Sequence, residues 1–168
     1  KTNINNYFLN NKTGKNLWKN AKKIIPGGNS ILSKRPERYG EDIWPTYFSK
    51  SKGCYVWDLD GKKFVDLAQM GIGSSILGYN NSFVNRSVIK AINKGINTTL
   101  NCREEYDLAK LLLKLNPFAD SVKFARSGGE AMTLAIRIAR AYQKKEKIAF
   151  CGYHGWFDWY LATTIKNK

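Results

Sequence analysis

Cysteine and histidine are scarce in this sequence, and long apolar runs are absent. The 168 residues include three cysteines, Cys54, Cys102 and Cys151, and a single histidine, His154. The cysteines are odd in number and far apart, so they match neither a disulfide framework nor a metal-binding pattern, and they are typical of a reducing cytoplasm. No apolar run approaches the roughly 18 residues of a membrane span, and no signal peptide is visible. The sequence therefore predicts a cytoplasmic protein with no metal site and no membrane partner.

Acidic residues are scarce as well. Thirteen aspartates and glutamates stand against 28 lysines and arginines, which gives a net charge of +15. Such a balance raises the hypothesis of nucleic-acid binding, which would show a steep dependence of affinity on salt. The positive charge is spread thinly, however, and no zinc-finger, basic-zipper or RNA-recognition pattern accompanies it. We therefore do not expect a nucleic-acid partner.

The first part of the chain predicts a helix followed by a long loop. Residues 1–12 are polar and asparagine-rich and predict a frayed arm. Thr13 is predicted to cap a helix that Pro26 and two following glycines end. Residues 29–45 have no periodicity and predict a loop long enough to be functional or to cross a partner subunit. The apolar face expected for the helix consists of Leu17, Ala21, Ile24 and Ile25.

The next segments predict a small antiparallel sheet and then two helices. Strands are expected around residues 47–48, 54–57 and 63–67, and Asp60-Gly61 between the last two is a hairpin signal. A loop of small residues follows at 70–75. Ser82 opens the first helix, which Gly95 ends. Asn101 and Glu104 predict a capping box for the second, which ends at residues 116–117. The faces predicted to point inward hold Val84, Val88, Ala91 and Ile92 in the first helix and Leu108, Leu111, Leu112 and Leu115 in the second.

Residues 121–153 predict a strand, a glycine turn, a helix and a second strand. Val122 and Phe124 alternate with polar neighbours, and residues 147–151 form an apolar run of strand length. Between them, five apolar residues fall on one face of a helix. These five are Ala131, Leu134, Ala135, Ile138 and Tyr142.

The turn itself consists of Ser127, Gly128 and Gly129. Glycines at this place let the backbone come close to a ligand, and the free N–H groups of a first helical turn favour an anion. Most Ser-Gly-Gly turns before a helix are only turns, and the motif matches neither the dinucleotide nor the P-loop fingerprint. A phosphate-bearing cofactor is the functional hypothesis, and a plain structural turn is the alternative.

Three motifs in order give the chain a resemblance to a known family. They are Ser-Gly-Gly-Glu-Ala at 127–131, Arg-Ile-Ala-Arg-Ala at 137–141 and Tyr-His-Gly at 153–155. Together they resemble the class III, fold-type I aminotransferases that use pyridoxal 5'-phosphate (PLP), especially the glutamate-1-semialdehyde 2,1-aminomutase group. The resemblance implies a three-layer α/β/α fold with a mostly parallel sheet, here its N-terminal part with a small antiparallel hairpin region. It also implies an N-terminal segment at 1–68 and the incomplete start of the PLP-binding large domain at 69–168.

The resemblance implies a cofactor site. Ser127, Gly128 and Gly129 would hold the PLP phosphate, where many relatives have Thr or Ser in place of Gly129. Tyr153 would lie against the pyridine ring, and His154 would flank it. The lysine that forms the Schiff base is expected beyond Lys168, so no catalytic residue is assigned within this segment and we expect an N-terminal fragment.

The resemblance also implies a substrate-facing segment. The Gly-Gly-Asn-Ser run brings Asn29 and Ser30 over the active site in the family. True aminomutases continue with an arginine that grips the substrate carboxylate. Ser33 takes that place here, and Arg35 is offset by two.

The implied activity is amino-group transfer between a small-molecule amine donor and a carbonyl acceptor, in a homodimer. The Arg-Ser-Gly-Gly-Glu variant at 126–130 and the Cys-Gly-Tyr-His-Gly-Trp-Phe-Asp-Trp-Tyr variant at 151–160 resemble relatives associated with amino-sugar or surface-polysaccharide precursors. Two alternatives stay open: a glutamate-1-semialdehyde 2,1-aminomutase, which moves the amino group within one molecule, and a non-catalytic relative that keeps the fold and loses the lysine.

Overall fold

The computed structural model describes residues 12–68, 70–71 and 73–161. These residues divide into two units at the boundary between Asn97 and Thr98. Most of the predicted N-terminal arm, residue 72 of the predicted 70–75 loop and the last seven residues lie outside the described ranges. The domain boundary expected after residue 68 falls inside the first unit and stays a prediction about the complete fold.

The first helix, α1 (Lys12–Ile24), receives its N-terminal cap from a distant residue. The amide of Thr13 donates to Oδ2 of Asp60 at 3.2 Å, and the Thr13 hydroxyl donates to Oδ1 of the same carboxylate. The prediction that Thr13 caps the helix is therefore wrong, because Thr13 lies inside it and Asp60, 47 residues away, accepts from it. A carboxylate at this end also complements the helix dipole.

Trp18 is the centre of the small core of the first unit. It is 2% exposed, and Ala21 and Gly14 on the same face of α1 are buried with it. The predicted apolar face was right for Ala21 and wrong for the rest: the buried stripe is rotated to Gly14, Trp18 and Ala21, and Ile24 is 81% exposed. The rotation follows from the segment after α1, which covers the Trp18 ring and leaves Ile24 exposed.

The chain after α1 folds back over Trp18. As predicted, α1 ends before Pro26, and residues 29–45 contain no α-helix or strand among the described residues, only 3-10 turns at Leu32–Lys34 and Pro36–Arg38. Gly28 has a positive φ of 79° and lies against the Trp18 ring, where a side chain would collide. The indole N–H donates to Glu37 at 2.9 Å.

Glu37, at the exposed edge of this core, accepts hydrogen bonds from both Trp18 and Lys22. Burial alone would raise the pKa of the Glu37 carboxyl, but hydrogen bonds from its own backbone, from Trp18 and from Lys22 outweigh burial, and the pKa is lowered. The carboxylate is therefore charged when it accepts the hydrogen bond from the indole N–H.

Three antiparallel strands form a sheet in the order β1-β2-β3: β1 (Phe48–Lys52), β2 (Tyr55–Asp58) and β3 (Lys63–Val65). The predicted Asp-Gly hairpin is confirmed, and Gly61 has the positive φ of 82° that this turn requires. The buried Oδ1 of Asp58 accepts the amides of Asp60 at 3.0 Å and Lys62 at 2.8 Å, which closes the turn.

Tyr79 joins the chain after the sheet back to the sheet. Its backbone forms an isolated bridge with Gly53, and its hydroxyl donates to Asp66 at 2.6 Å. The hydrogen bond to Asp66, with burial in addition, raises the pKa of Tyr79 to about 12. The hydroxyl therefore keeps its proton and continues to donate at neutral pH.

The remaining helices are α2 (Ser82–Lys94), α3 (Arg103–Leu115), α4 (Gly128–Gln143) and the short α5 (Asp158–Leu161). The side chain of Asn81 caps α2. The predicted capping box of α3 is wrong, because Cys102 is the N-cap and Glu104 falls one position too early. Among the described residues, none of the helices is long and apolar enough to cross a membrane.

The strands predicted at 122–124 and 147–151 are not paired within the described residues. A strand needs a neighbour about 5 Å away to form its hydrogen-bond ladder, and the described part of the chain brings none to either segment. The inward faces predicted for α2 and α3 keep their apolar side chains, but the described residues bury none of them.

Candidate functional site

Ser127 is the N-cap of α4, which confirms the predicted start of this helix at the glycine turn. It is extended, with φ −147° and ψ 161°, and its Oγ accepts the amide of Glu130 at 3.3 Å. The Ser127 carbonyl accepts from Ala131 at 3.0 Å, which is the first bond of the helix. Because the Oγ atom uses a lone pair on Glu130, its O–H remains a donor for a ligand.

The amides of Gly128 and Gly129 have no hydrogen-bond acceptor in the described part of the chain. They stand at the positive end of the α4 dipole, which attracts an anion. The two glycines differ in their surroundings. A Cβ on Gly128 would meet no atom of the described residues within 4 Å, whereas Gly129 is buried and a Cβ there would collide with the ring of Phe157.

Glu130, in the first turn of α4, is paired with Arg126. The Arg126 amide donates to Oε2 at 2.8 Å and its Nε donates to Oε1 at 3.0 Å. These bonds, the side-chain one foremost, lower the pKa of Glu130. The carboxylate is thus occupied by a neighbouring cation, so it competes less with an incoming anion for the helix N-terminus.

Residues 150–161 form an aromatic cluster beside this turn. Its members are Phe150, Tyr153, His154, Trp159 and Tyr160, whose ring centroids lie 5.3–6.4 Å apart in the pairs that contact. A Cβ on Gly155 would lie 2.9 Å from the Cα of Gly129. The structure therefore brings the Tyr-His-Gly motif directly against the predicted phosphate turn.

His154 and Tyr153 occupy different positions in the cluster. Nε2 of His154 lies 2.6 Å from the carbonyl oxygen of Cys151. Since a carbonyl only accepts, Nε2 carries the proton and the ring braces its own loop. Tyr153 is 74% exposed, packs edge-on against Tyr160 at 5.9 Å and leaves a ring face open.

Asn29 and Ser30, predicted to face the substrate, belong to the first unit. Ser30 is exposed, and Asn29 is half-buried with an Oδ1 atom that has no hydrogen-bond partner in the described part of the chain. The guanidinium of Arg35 lies over Gly27, and the carbonyl of Ser33 accepts the hydroxyl of Tyr39 at 2.7 Å. Their roles toward a substrate stay predictions.

Sequence reasoning missed Phe157, which contacts the turn through Gly129. The available signal was the density of aromatic residues at 156–160, which pointed to the neighbourhood without singling out this ring. Within the described ranges, no group of three or more His, Cys, Asp or Glu side chains could hold a metal ion.

Comparison with known proteins agrees with these motifs. The family model for class-III aminotransferases matches residues 38–168. The 3-aminobutyryl-CoA aminotransferase of Cloacimonas acidaminovorans is 37% identical over 144 residues, covering 85% of this chain and 34% of that protein. The glutamate-1-semialdehyde 2,1-aminomutase of Wigglesworthia glossinidia brevipalpis is 38% identical over 159 residues, covering 94% and 36%. The chain thus spans about a third of the length of the curated relatives it matches.

The backbone of the chain also superposes on solved structures of transaminases. An omega-transaminase from Sphaerobacter thermophilus superposes with a TM-score of 0.77 and 31% identity over 87% of this chain and 32% of that one. The FumI protein of Sphingopyxis sp. MTA144, solved with PLP, superposes with a TM-score of 0.78 and 26% identity over 87% and 35%.

Proposed function

The chain belongs to the class-III aminotransferase family, and on that premise we propose that the protein containing it is a PLP-dependent enzyme that transfers an amino group from a small-molecule amine donor to a carbonyl acceptor. The likeness to solved transaminases confirms the predicted fold class, fold-type I. The proposal rests above all on the amides of Gly128 and Gly129, which point from a helix N-terminus without an acceptor in the described part of the chain.

These residues fit a phosphate dianion. Two backbone N–H groups and the Ser127 hydroxyl provide three donors, and no described atom lies within 4 Å of the place where a Gly128 side chain would begin. Backbone donors at a helix N-terminus need no reorganisation when an anion binds. We propose that Ser127, Gly128 and Gly129 hold the PLP phosphate, with Gly129 contributing only its amide.

Tyr153 and His154 would complete one side of the site. The exposed Tyr153 ring offers a flat apolar surface to a pyridine ring. His154, held on the Cys151 carbonyl, fixes the loop that carries Tyr153. When bound, PLP supplies the electron sink for moving the amino group. The chain's own residues bind it, orient it and cover one face, and we propose that the reacting lysine lies beyond Lys168.

An absorbance titration of the full-length protein with PLP tests the proposal. We expect a band at about 410–430 nm that disappears on borohydride reduction, since a lysine bonded to the cofactor gives that response. PLP binding without a borohydride-sensitive band would favour the non-catalytic relative. Absence of any binding would overturn the cofactor site itself.

The two catalytic alternatives, a transaminase and an aminomutase, differ in their substrates. We propose an amino-sugar or surface-polysaccharide precursor as the acceptor, supported by the aromatic 153–160 segment and by Ser33 at the place of the carboxylate-gripping arginine. The aminomutase alternative is supported by the names of several relatives. An aminomutase turns over glutamate-1-semialdehyde with no added amine donor, whereas a transaminase needs both partners.

We also propose a cytoplasmic homodimer. The cytoplasmic location is supported by the three free, exposed cysteines. The dimer is supported by the resemblance and by the long irregular segment at 29–45, which suits a subunit contact. Light scattering on the full-length protein should give twice the mass of one chain, and a monomeric mass would contradict this expectation.

A further inference from the structure

Gly129 is enclosed on two sides. A Cβ added there would collide with Cδ2 and Cε2 of the Phe157 ring and lie 3.7 Å from its Cγ. On a second side, the Gly155 backbone is so near that a Cβ on Gly155 would lie 2.9 Å from the Gly129 Cα. The volume that a side chain at position 129 would occupy is therefore already filled by Phe157.

The Phe157 ring is itself held in place. It stacks on Trp156 with centroids 5.0 Å apart and an interplanar angle of 24°. The Phe157 carbonyl accepts the amides of Tyr160 at 2.9 Å and Leu161 at 3.0 Å, which anchors its backbone to the start of α5. The position of the Phe157 ring is therefore fixed by contacts within its own segment, independently of the turn.

Ordering two successive glycines into a rigid anion site has a high entropic cost, because glycine loses more conformational freedom on ordering than any other residue. A ring packed on Gly129 removes much of that freedom before a ligand arrives. It also shields the Gly129 side of the turn from water, which strengthens hydrogen bonds from the amide pair.

We propose that Phe157 is a positioning residue for the phosphate-binding turn, and that Gly129 and Phe157 act as one unit. This inference rests on the proposed function, because the turn must bind the PLP phosphate for positioning to matter. In this arrangement the Phe157 ring occupies the space that a side chain at position 129 would otherwise fill. A larger residue at 129 therefore requires a smaller one at 157.

The experiment is a double-mutant cycle in the full-length protein with Gly129→Ser, Phe157→Ala and the double variant. The PLP dissociation constant is measured by titration of the apoprotein, and inorganic phosphate is used as a competitor to isolate the turn. We expect Gly129→Ser alone to weaken PLP binding about tenfold or more and Phe157→Ala alone about three- to tenfold. The double variant should bind within about threefold of wild type, because the serine then has room.

Phe118→Ala provides the matched control, since it removes a phenyl ring that is 86% exposed among the described residues and is not among the atoms nearest a Cβ on Gly128 or Gly129. It should leave PLP affinity unchanged. Thermal unfolding is followed in parallel, and if Gly129→Ser does not fold, recovery of both folding and PLP binding in the double variant supports the proposal.

The outcomes separate this proposal from the function on which it rests. If wild type binds no PLP, the proposed function and the positioning role both fail. If wild type binds PLP and the two substitutions simply multiply, the cofactor site stands and the positioning role is overturned. The positioning role is likewise overturned if Phe157→Ala weakens PLP binding but leaves the affinity for inorganic phosphate unchanged. The ring would then act on another part of the cofactor.

Discussion

Replacing Gly128 with alanine is expected to weaken PLP binding by about 100-fold or more while leaving the thermal unfolding midpoint unchanged or slightly raised. A Cβ at this position meets no atom of the described residues within 4 Å, so these residues give no steric reason for a loss of stability. Alanine is also favoured over glycine within a helix by about 1 kcal/mol. In the proposed site, however, the phosphate would approach the amide pair beside Gly128, and the added methyl group would obstruct it. Titration of the apoprotein with PLP and a thermal scan of the same sample measure both quantities.

The adjacent Gly129→Ala variant is the comparison for this prediction. It adds the same methyl group one residue further on, where the group collides with Phe157. We expect it to lower both the unfolding midpoint and PLP affinity, whereas Gly128→Ala lowers affinity alone. Wild-type affinity in Gly128→Ala would contradict the placement of the phosphate at this turn.

Features that depend on neighbouring residues could be predicted from the sequence. The hairpin at Asp60-Gly61 and the end of α1 before Pro26 are set by backbone preferences of glycine and proline, which act within a few residues. The start of α4 at Gly128 belongs to the same class, because serine before a helix accepts the early amides. The helix predicted to open at Ser82 and end at Gly95 agrees with the structure for the same reason.

Contacts between distant residues could not be predicted in the same way. The cap of α1 comes from Asp60, 47 residues later, and no local pattern distinguishes that carboxylate from others. The buried stripe of α1 is decided by which residue the 26–38 segment covers, and it covers Trp18 rather than Ile24. Helical periodicity gives the spacing of a buried face, but its rotation is fixed by the partner.

The candidate site shows the same division. The turn at 127–129 and the Tyr-His-Gly motif could both be identified from the sequence, because each is a short run of adjacent residues. Their contact is not readable, since it is made by Gly129, Gly155 and Phe157 across a 26- to 28-residue separation in the chain. The contact of Phe157 could not be predicted, because the sequence of an aromatic-rich segment does not indicate which residue each ring packs against.

The uncovered faces of α2 and α3 are consistent with the share of the family length that the chain represents. Their leucines and valines keep helical spacing, yet the described residues bury none of them. We propose that the remaining two-thirds of the family fold covers these faces and pairs with the segments at 122–124 and 147–151. Hydrogen exchange of the full-length protein should then show both segments protected; rapid exchange there would contradict this pairing.

Replacing Trp18 with alanine is expected to lower the free energy of unfolding of the first unit by about 3–5 kcal/mol. The indole is 2% exposed, packs under Gly28 and donates to Glu37, so its removal leaves a cavity and takes one donor from the Glu37 carboxylate. Denaturant unfolding of the full-length protein, followed by circular dichroism, measures the loss.

Two further substitutions divide this cost between packing and hydrogen bonding. Trp18→Phe keeps most of the ring and removes the N–H, and Lys22 at 3.1 Å still serves Glu37, so we expect a loss of about 1–2 kcal/mol. Lys19→Ala, on the exposed side of α1, should stay within about 0.5 kcal/mol of wild type. If Trp18→Ala cost no more than Lys19→Ala, the fold of residues 12–38 around the indole would be wrong. A Trp18→Phe loss as large as that of Trp18→Ala would instead make the Glu37 hydrogen bond, rather than the buried ring, the principal stabilising contact.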